Sequence, residues 1–209
     1  MTTGRSKGLG TWVVLGLVLV VLTAGLFAWR GRLRLEPLPT LGQVGSFALT
    51  NQLGQPVSGE SLKGEIWVAD IIFTRCPGSC LLMTRSLSAL QARLSVRDKV
   101  QLISLTADPE HDTVEVLRDY GERFEADAEC WQLLTGSKEE LYRFAIDDLK
   151  LAAEEIEPAR RENLNDLFIH STMLVLVDPA GRVRGYFDGT DSAVADRLQA
   201  AIRRLQREQ

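Results

Sequence analysis

The sequence predicts an α/β fold, a mixed central sheet with helices on both faces. Long apolar runs at 66–73, 100–105 and 172–177 read as buried strands. The segments between them carry apolar residues at helical spacing. The chain then closes with a tight turn, a returning strand and an amphipathic helix, which places an antiparallel hairpin beside the strand–helix alternation.

Residues 1–8 form an N-terminal tail. From Leu9 to Trp29 there is no charged side chain, and these 21 residues, rich in Leu and Val, are long enough to cross a bilayer as a transmembrane helix. Trp12 and Trp29 lie near its ends, where amphipathic aromatics anchor at headgroups. A cleaved signal peptide would have a shorter apolar region and a small-x-small site, for which Thr23-Ala24-Gly25 is poor. The segment 9–29 therefore reads as an uncleaved signal anchor. Arg5 and Lys7 before it nearly balance Arg30, Arg32 and Arg34 after it, so charge does not orient it. Residues 30–45, with Gly31, Pro37, Pro39, Gly42 and Gly45, read as a linker, leaving 46–209 as the folded domain.

In the domain, Phe47 to Thr50 alternates like a short strand, and Asn51 to Gln55 supplies turn residues. The strand 66–73 follows, then a helix expected over 77–96 with Pro77 at its first position, where a missing N–H costs nothing. Cys80, Met83, Leu87, Leu90 and Leu94 form its buried stripe. After the strand Val100–Leu105, Asp112 with Glu115 fits a capping pair opening a helix to about residue 126. Trp131–Leu134 is a short strand, and Ser137 with Glu140 caps another helix. Residues 150–169 are charged and read as an irregular surface excursion. The strand 172–177, the turn Asp178-Pro179-Ala180-Gly181, the partner strand Arg182–Phe187 and a helix marked by Val194, Leu198, Ala201, Ile202 and Leu205 complete the chain.

Charge excludes one class of function. Five of the 24 basic side chains and none of the 28 acidic ones lie in residues 1–35, so the remainder carries −9. A nucleic-acid binder shows the opposite sign over its folded part. Three cysteines do not make a disulfide scaffold, and a domain of this size buries a core without staples. Cys130, beside Trp131, reads as a core filler.

Cys76 and Cys80 stand apart from that background. They follow the first buried strand at once, at the carboxyl end of the sheet, where open α/β sheets place ligands. With a helix starting at Pro77, Cys76 is its N-cap and Cys80 lies one turn on, so the two sulfurs share a face. The free N–H groups and positive dipole end favour a thiolate at Cys76. Either cysteine alone reads as a buried apolar residue; together they read as a soft-metal site or a redox pair. His111, in Asp108-Pro109-Glu110-His111-Asp112, reads as a solvated loop residue. His170 precedes the strand 172–177 at the edge of the core, and spacing does not bring it to the cysteines. Asp70, inside an apolar strand, is either a partner of His170 or the thiolates, or a sheet-edge residue.

The chain resembles the Sco/SenC family, membrane-anchored thioredoxin-like proteins that bind copper and assist assembly of cytochrome c oxidase. Phe73-Thr74-Arg75-Cys76-Pro77-Gly78-Ser79-Cys80, the segment Ser104 to Thr113, Ile169-His170-Ser171-Thr172 and Val177-Asp178-Pro179-Ala180-Gly181 carry the likeness, with Phe47-x-Leu49 and Asn51-Gln52-x-Gly54 before them. Leu81 departs from a position where the family often has proline. The resemblance implies a thioredoxin-like domain with Cys76, Cys80 and His170 as copper ligands. It also implies a role as a metallochaperone for an oxidase subunit that carries a copper site, on the outer side of the membrane (the bacterial periplasm or its equivalent). Two thiolates and an imidazole suit monovalent copper and also bind the divalent ion.

The alternative is a thiol–disulfide oxidoreductase acting through Cys76 and Cys80 on cysteines of an oxidase subunit. Thioredoxin-type pairs have two intervening residues and this chain has three, which favours metal. Zinc chemistry with the same donors lacks a recognisable general base, and a peroxidase lacks a resolving-cysteine arrangement. An idle tethered binding module is the remaining alternative.

Overall fold

The seven-residue strand β4 (Ile66–Ile72) is buried at every position, as its uninterrupted apolar character requires of a strand covered on both faces. The computed structural model in which it lies describes residues 7–32, 36–157, 159 and 167–208. The chain divides after Glu36.

The N-terminal unit contains α1 (Lys7–Arg32), a helix of 26 residues that includes the expected span 9–29. Among the described residues no helix is long and apolar enough to cross a membrane. Within α1 the described side chains run from residue 12 to residue 25. Residues 1–6 of the expected tail and 33–35 of the expected linker lie outside the described residues.

From Pro37 onward the strands are β1 (Gly42–Gln43), β2 (Ala48–Asn51), β3 (Pro56–Ser58), β4, β5 (Val100–Thr106), β6 (Trp131–Thr135), β7 (Ala153–Glu155), β8 (Phe168–His170), β9 (Met173–Val177) and β10 (Arg182–Asp188). The helices are α2 (Ser79–Gln91), α3 (Val114–Arg123), α4 (Lys138–Arg143) and α5 (Val194–Glu208). Eight strands form one sheet in the order β1-β10-β9-β4-β5-β6-β2-β3, and β7 pairs with β8 apart from it. β4 runs parallel to β5 and antiparallel to β9, so the expected mixed sheet is present. Ile66 and Val68 pack with Met83, Leu87 and Leu90 of α2 and Leu198, Ile202 and Leu205 of α5. Trp67, Ala69 and Ile71 face the other way, into a cluster with Phe47, Leu141 and Phe144. Helices thus cover both faces.

Several boundaries differ from the sequence expectation. Helix α2 begins at Ser79, with Gly78 before it at φ −122° and ψ −106°. The Cys76 N–H closes a turn onto the Phe73 carbonyl (3.1 Å), and the non-helical Gly78 holds the helix off until Ser79. Cys76 is therefore not the N-cap, and α2 ends at Gln91 rather than near 96. Helix α3 is capped by Thr113, whose hydroxyl accepts from Val116 N–H, and not by Asp112. It ends at Arg123, with Glu125 in the left-handed region at φ +54° soon after.

The expected linker is largely docked. Its first residues, 30–32, belong to α1, while β1 pairs with β10, and Leu41 and Val44 bond to Val183 and Gly181. The buried Arg184 guanidinium holds the carbonyls of Leu38 and Pro39 together with Asp178 and Glu208. The excursion at 150–169 is not wholly irregular either, because the β7–β8 hairpin sets Ala153 opposite His170.

The Ser137 cap agrees with expectation, since its hydroxyl accepts from Glu140 N–H (3.2 Å). Ser137→Ala is expected to cost about 1 kcal/mol of stability in a denaturant titration, the usual effect of leaving such an N–H without its acceptor. An unchanged midpoint would show the cap to be idle.

Candidate metal centre

β4 delivers the chain through Phe73, Thr74 and Arg75 to Cys76 at the carboxyl end of the sheet. Cys80, the second residue of α2, points into the core and is wholly buried, and Cys76 is almost so. His170 ends β8, a hairpin strand held against β7, and its ring meets Phe73 edge-on with centroids 5.6 Å apart. The ring nitrogen Nε2 lies 3.2 Å from Cys80 Sγ and 4.0 Å from Cys76 Sγ. All three ligand atoms fall within 4.8 Å of one another. Donors sharing one ion at bond lengths of about 2.0–2.3 Å sit roughly 3.5–4 Å apart, so this spacing fits an ion with little adjustment. The donor set of two sulfurs and one nitrogen suits copper.

The imidazole is oriented by its other nitrogen. Nδ1 donates to the Ser171 carbonyl (3.0 Å), which turns Nε2 toward the sulfurs. The two cysteines differ strongly. The Cys80 thiol hydrogen-bonds Cys76 and, outweighing burial, brings the Cys76 pKa down to about 3, with help from His170 and the N–H groups of Gly78 and Cys80. Cys80 is pushed far upward, first by that same bond and then by burial. The metal-free pair thus shares one proton, held on Cys80. The pKa of the Cys76 thiol is lowered, in the direction expected, but the neighbouring Cys80 thiol, rather than a helix dipole, is the main cause.

Asp70 is not at a sheet edge. It lies in β4 between β5 and β9, wholly buried, and neither of its oxygens has a hydrogen-bond partner among the described residues. Burial pushes its pKa up to about 7, and His170 and Cys80 both feel its charge. Cys130 is only half-buried, beside Gln91, and belongs to neither apolar cluster, so it is not the core filler expected.

Sequence reasoning missed the residues behind the cysteine loop. Thr74 and Arg75 are tied to Asp112 and Asp108, which follow β5. His111 is not simply solvated; its half-exposed ring bonds Asp112 (2.9 Å). The signal available was position, because both Asp108 and Asp112 follow a parallel strand at its carboxyl end, next to the strand that precedes Cys76.

The family model described as SCO1/SenC matches residues 38–207. The SCO1 protein homolog of Bacillus subtilis is 32% identical over 193 residues, covering 91% of this chain and 96% of that protein. The structure of BsSco, described as a member of the Sco family of cytochrome c oxidase assembly proteins with a disulfide switch, is 31% identical. It covers 81% of this chain and 98% of its own, with a TM-score of 0.68. ScoI of Bradyrhizobium japonicum, solved with copper bound, is 26% identical and covers 78% of this chain and 99% of its own at a TM-score of 0.65. The family model spans most of the chain and a relative 32% identical is covered almost end to end, so the chain belongs to the SCO1/SenC family.

Proposed function

We propose that this chain is a membrane-anchored copper carrier. In this reading Cys76, Cys80 and His170 hold one copper ion and pass it to a cytochrome c oxidase subunit that carries a copper site. The observation that supports it most directly is the convergence of two sulfurs and one imidazole nitrogen from segments 90 or more residues apart. The copper-bound ScoI relative lends its chemistry to the same reading. Three protein donors leave room for a partner's ligand to enter, so the ion moves by exchange and never dissociates freely. The apolar segment 9–29 serves as the anchor, and the domain, from about Pro37, faces the outer side of the membrane, the periplasm or its equivalent.

The purified full chain is expected to bind one copper ion. Cys80→Ala and His170→Ala should each weaken binding at least tenfold in competition against a chelator, as loss of a metal donor does. Variants that bind as tightly as wild type would remove these residues from the site.

The thiol–disulfide reading keeps one specific support, the low pKa of Cys76 beside a protonated Cys80. Thiolate attack by Cys76 on a partner disulfide would form a mixed disulfide. Cys80 would then displace the partner's thiolate, leaving a Cys76–Cys80 disulfide and a reduced partner. The dithiol's reduction potential separates the readings: a value well above that of the partner disulfide would leave Cys76 and Cys80 unable to reduce it and would rule this reading out.

A further inference from the structure

Cys76 lies on a short passage between β4 and α2 that has one internal backbone bond, from the Cys76 N–H to the Phe73 carbonyl. Two carboxylates of the loop that follows β5 bond to Thr74 and Arg75 of this passage. Asp112 is wholly buried there, and its carboxylate receives four donors. The Thr74 N–H (3.1 Å) and the Thr106 hydroxyl (2.6 Å) reach Oδ2; the Thr74 hydroxyl (2.5 Å) and His111 Nδ1 (2.9 Å) reach Oδ1. Two of those four come from a single residue, Thr74, two places before Cys76. The neighbouring Arg75 is held by Asp108 (2.5 Å), whose own N–H donates to Thr106 (2.9 Å). Thr106 ends β5, and β5 is hydrogen-bonded in register to β4 from Ile66 to Ile72. The passage is therefore tied to the end of β5 and the loop after it through two carboxylates, with Asp112 holding Thr74 and Asp108 holding Arg75.

From this geometry we infer that Thr74 is a positioning residue for the metal site. Its hydroxyl and N–H, both given to Asp112, fix where Cys76 Sγ stands relative to Cys80 and His170. The inference rests on the reading of Cys76, Cys80 and His170 as copper ligands. Hydrogen bonds to a buried carboxylate are short and strong, and two from one residue fix its orientation as well as its distance. Without the hydroxyl, Thr74 keeps only the longer of its two bonds, and the Cys76 sulfur spreads over positions where the three donors do not meet one ion. Cys80, inside α2, and His170, on the hairpin, are held independently.

The test uses the full chain with Thr74→Val, which removes the hydroxyl and keeps the branched shape, and Thr74→Ser, which keeps the hydroxyl. Copper affinity is measured by chelator competition, Cys76 reactivity by alkylation of the metal-free protein, and folding by thermal unfolding. Thr74→Val is expected to weaken copper binding by about tenfold, the lower end of the loss seen when a ligand's supporting contact is removed, and to change the Cys76 alkylation rate. Thr74→Ser is expected to restore both. If valine disturbs folding, Thr74→Ala takes its place against the same serine control. Copper affinity and alkylation rates equal to wild type in the hydroxyl-free variant, or a change in unfolding temperature alone, overturn the positioning role and leave the copper site standing. Wild-type protein that retains no copper overturns the copper site instead, and the alkylation comparison then decides the role of Thr74 by itself.

Discussion

Raising the pH from 5 to 8 is expected to tighten copper binding by several powers of ten, because loading the site displaces protons. Cys76 contributes none, since its pKa lies at about 3 and it is already a thiolate. Cys80 contributes one throughout the range, its thiol being held protonated by the Cys76 thiolate and by burial. His170 contributes a second below its own pKa. Burial pulls that pKa down, but the Cys76 thiolate, the Ser171 carbonyl and Asp70 outweigh burial, so it stands above the ordinary 6.5. Ligation requires two thiolates and a neutral imidazole. Affinity should thus rise about a hundredfold per pH unit while His170 is charged, and about tenfold per unit above that point. Chelator competition at fixed free copper across this range reads the two slopes directly. His170→Ala should keep the shallower slope throughout, and a flat profile would contradict the proton held on Cys80.

Asp70→Asn is expected to stabilise the metal-free protein at pH 8 and to leave it nearly unchanged at pH 4. The carboxyl is wholly buried and without a hydrogen-bond partner among the described residues, and burial carries its pKa from 3.8 to about 7. In the unfolded chain it ionises near 3.8, so between these values the folded state binds the extra proton. Stability from this group is complete below 3.8 and is lost as the pH rises through about 7. The whole difference corresponds to about 4 kcal/mol, of which asparagine, uncharged at every pH, should recover about 2–4 kcal/mol at pH 8. Urea unfolding at the two pH values gives the comparison. Equal destabilisation at both would mean that the charge on Asp70 is already compensated.

The elements legible in the sequence were those in which local pattern and tertiary demand agree. The run at 66–72 has no polar side chain except Asp70, and a strand covered on both faces is where such a run belongs. The stripe Cys80, Met83, Leu87 and Leu90 is buried as helical spacing required. Ser137 caps its helix because nothing competes for its hydroxyl. Asp112 shows the reverse case. Next to Thr113, either residue could cap α3, and the sheet's neighbouring loop claimed the carboxylate, leaving the threonine to the helix. The late start of α2 has a similar origin, since the turn that presents Cys76 consumes the residues that Pro77 had seemed to open.

By itself the sequence determined the long buried strands β4, β5 and β9, the returning strand β10, the buried stripes of α2 and α5, the apolar segment 9–29, the acidic balance of the domain and the placement of two cysteines at the end of a buried strand. Periodicity carries this much because it reports which face a residue shows to its own element. Which strands become neighbours is decided by pairing between distant segments, and that only the tertiary structure supplied. The β7–β8 hairpin carries His170 to Cys76 and Cys80, and the order β9-β4-β5 puts Asp70 at the centre of the sheet. The loop after β5 takes hold of Thr74 because β5 lies beside β4, a contact between residues that are 38 apart along the chain.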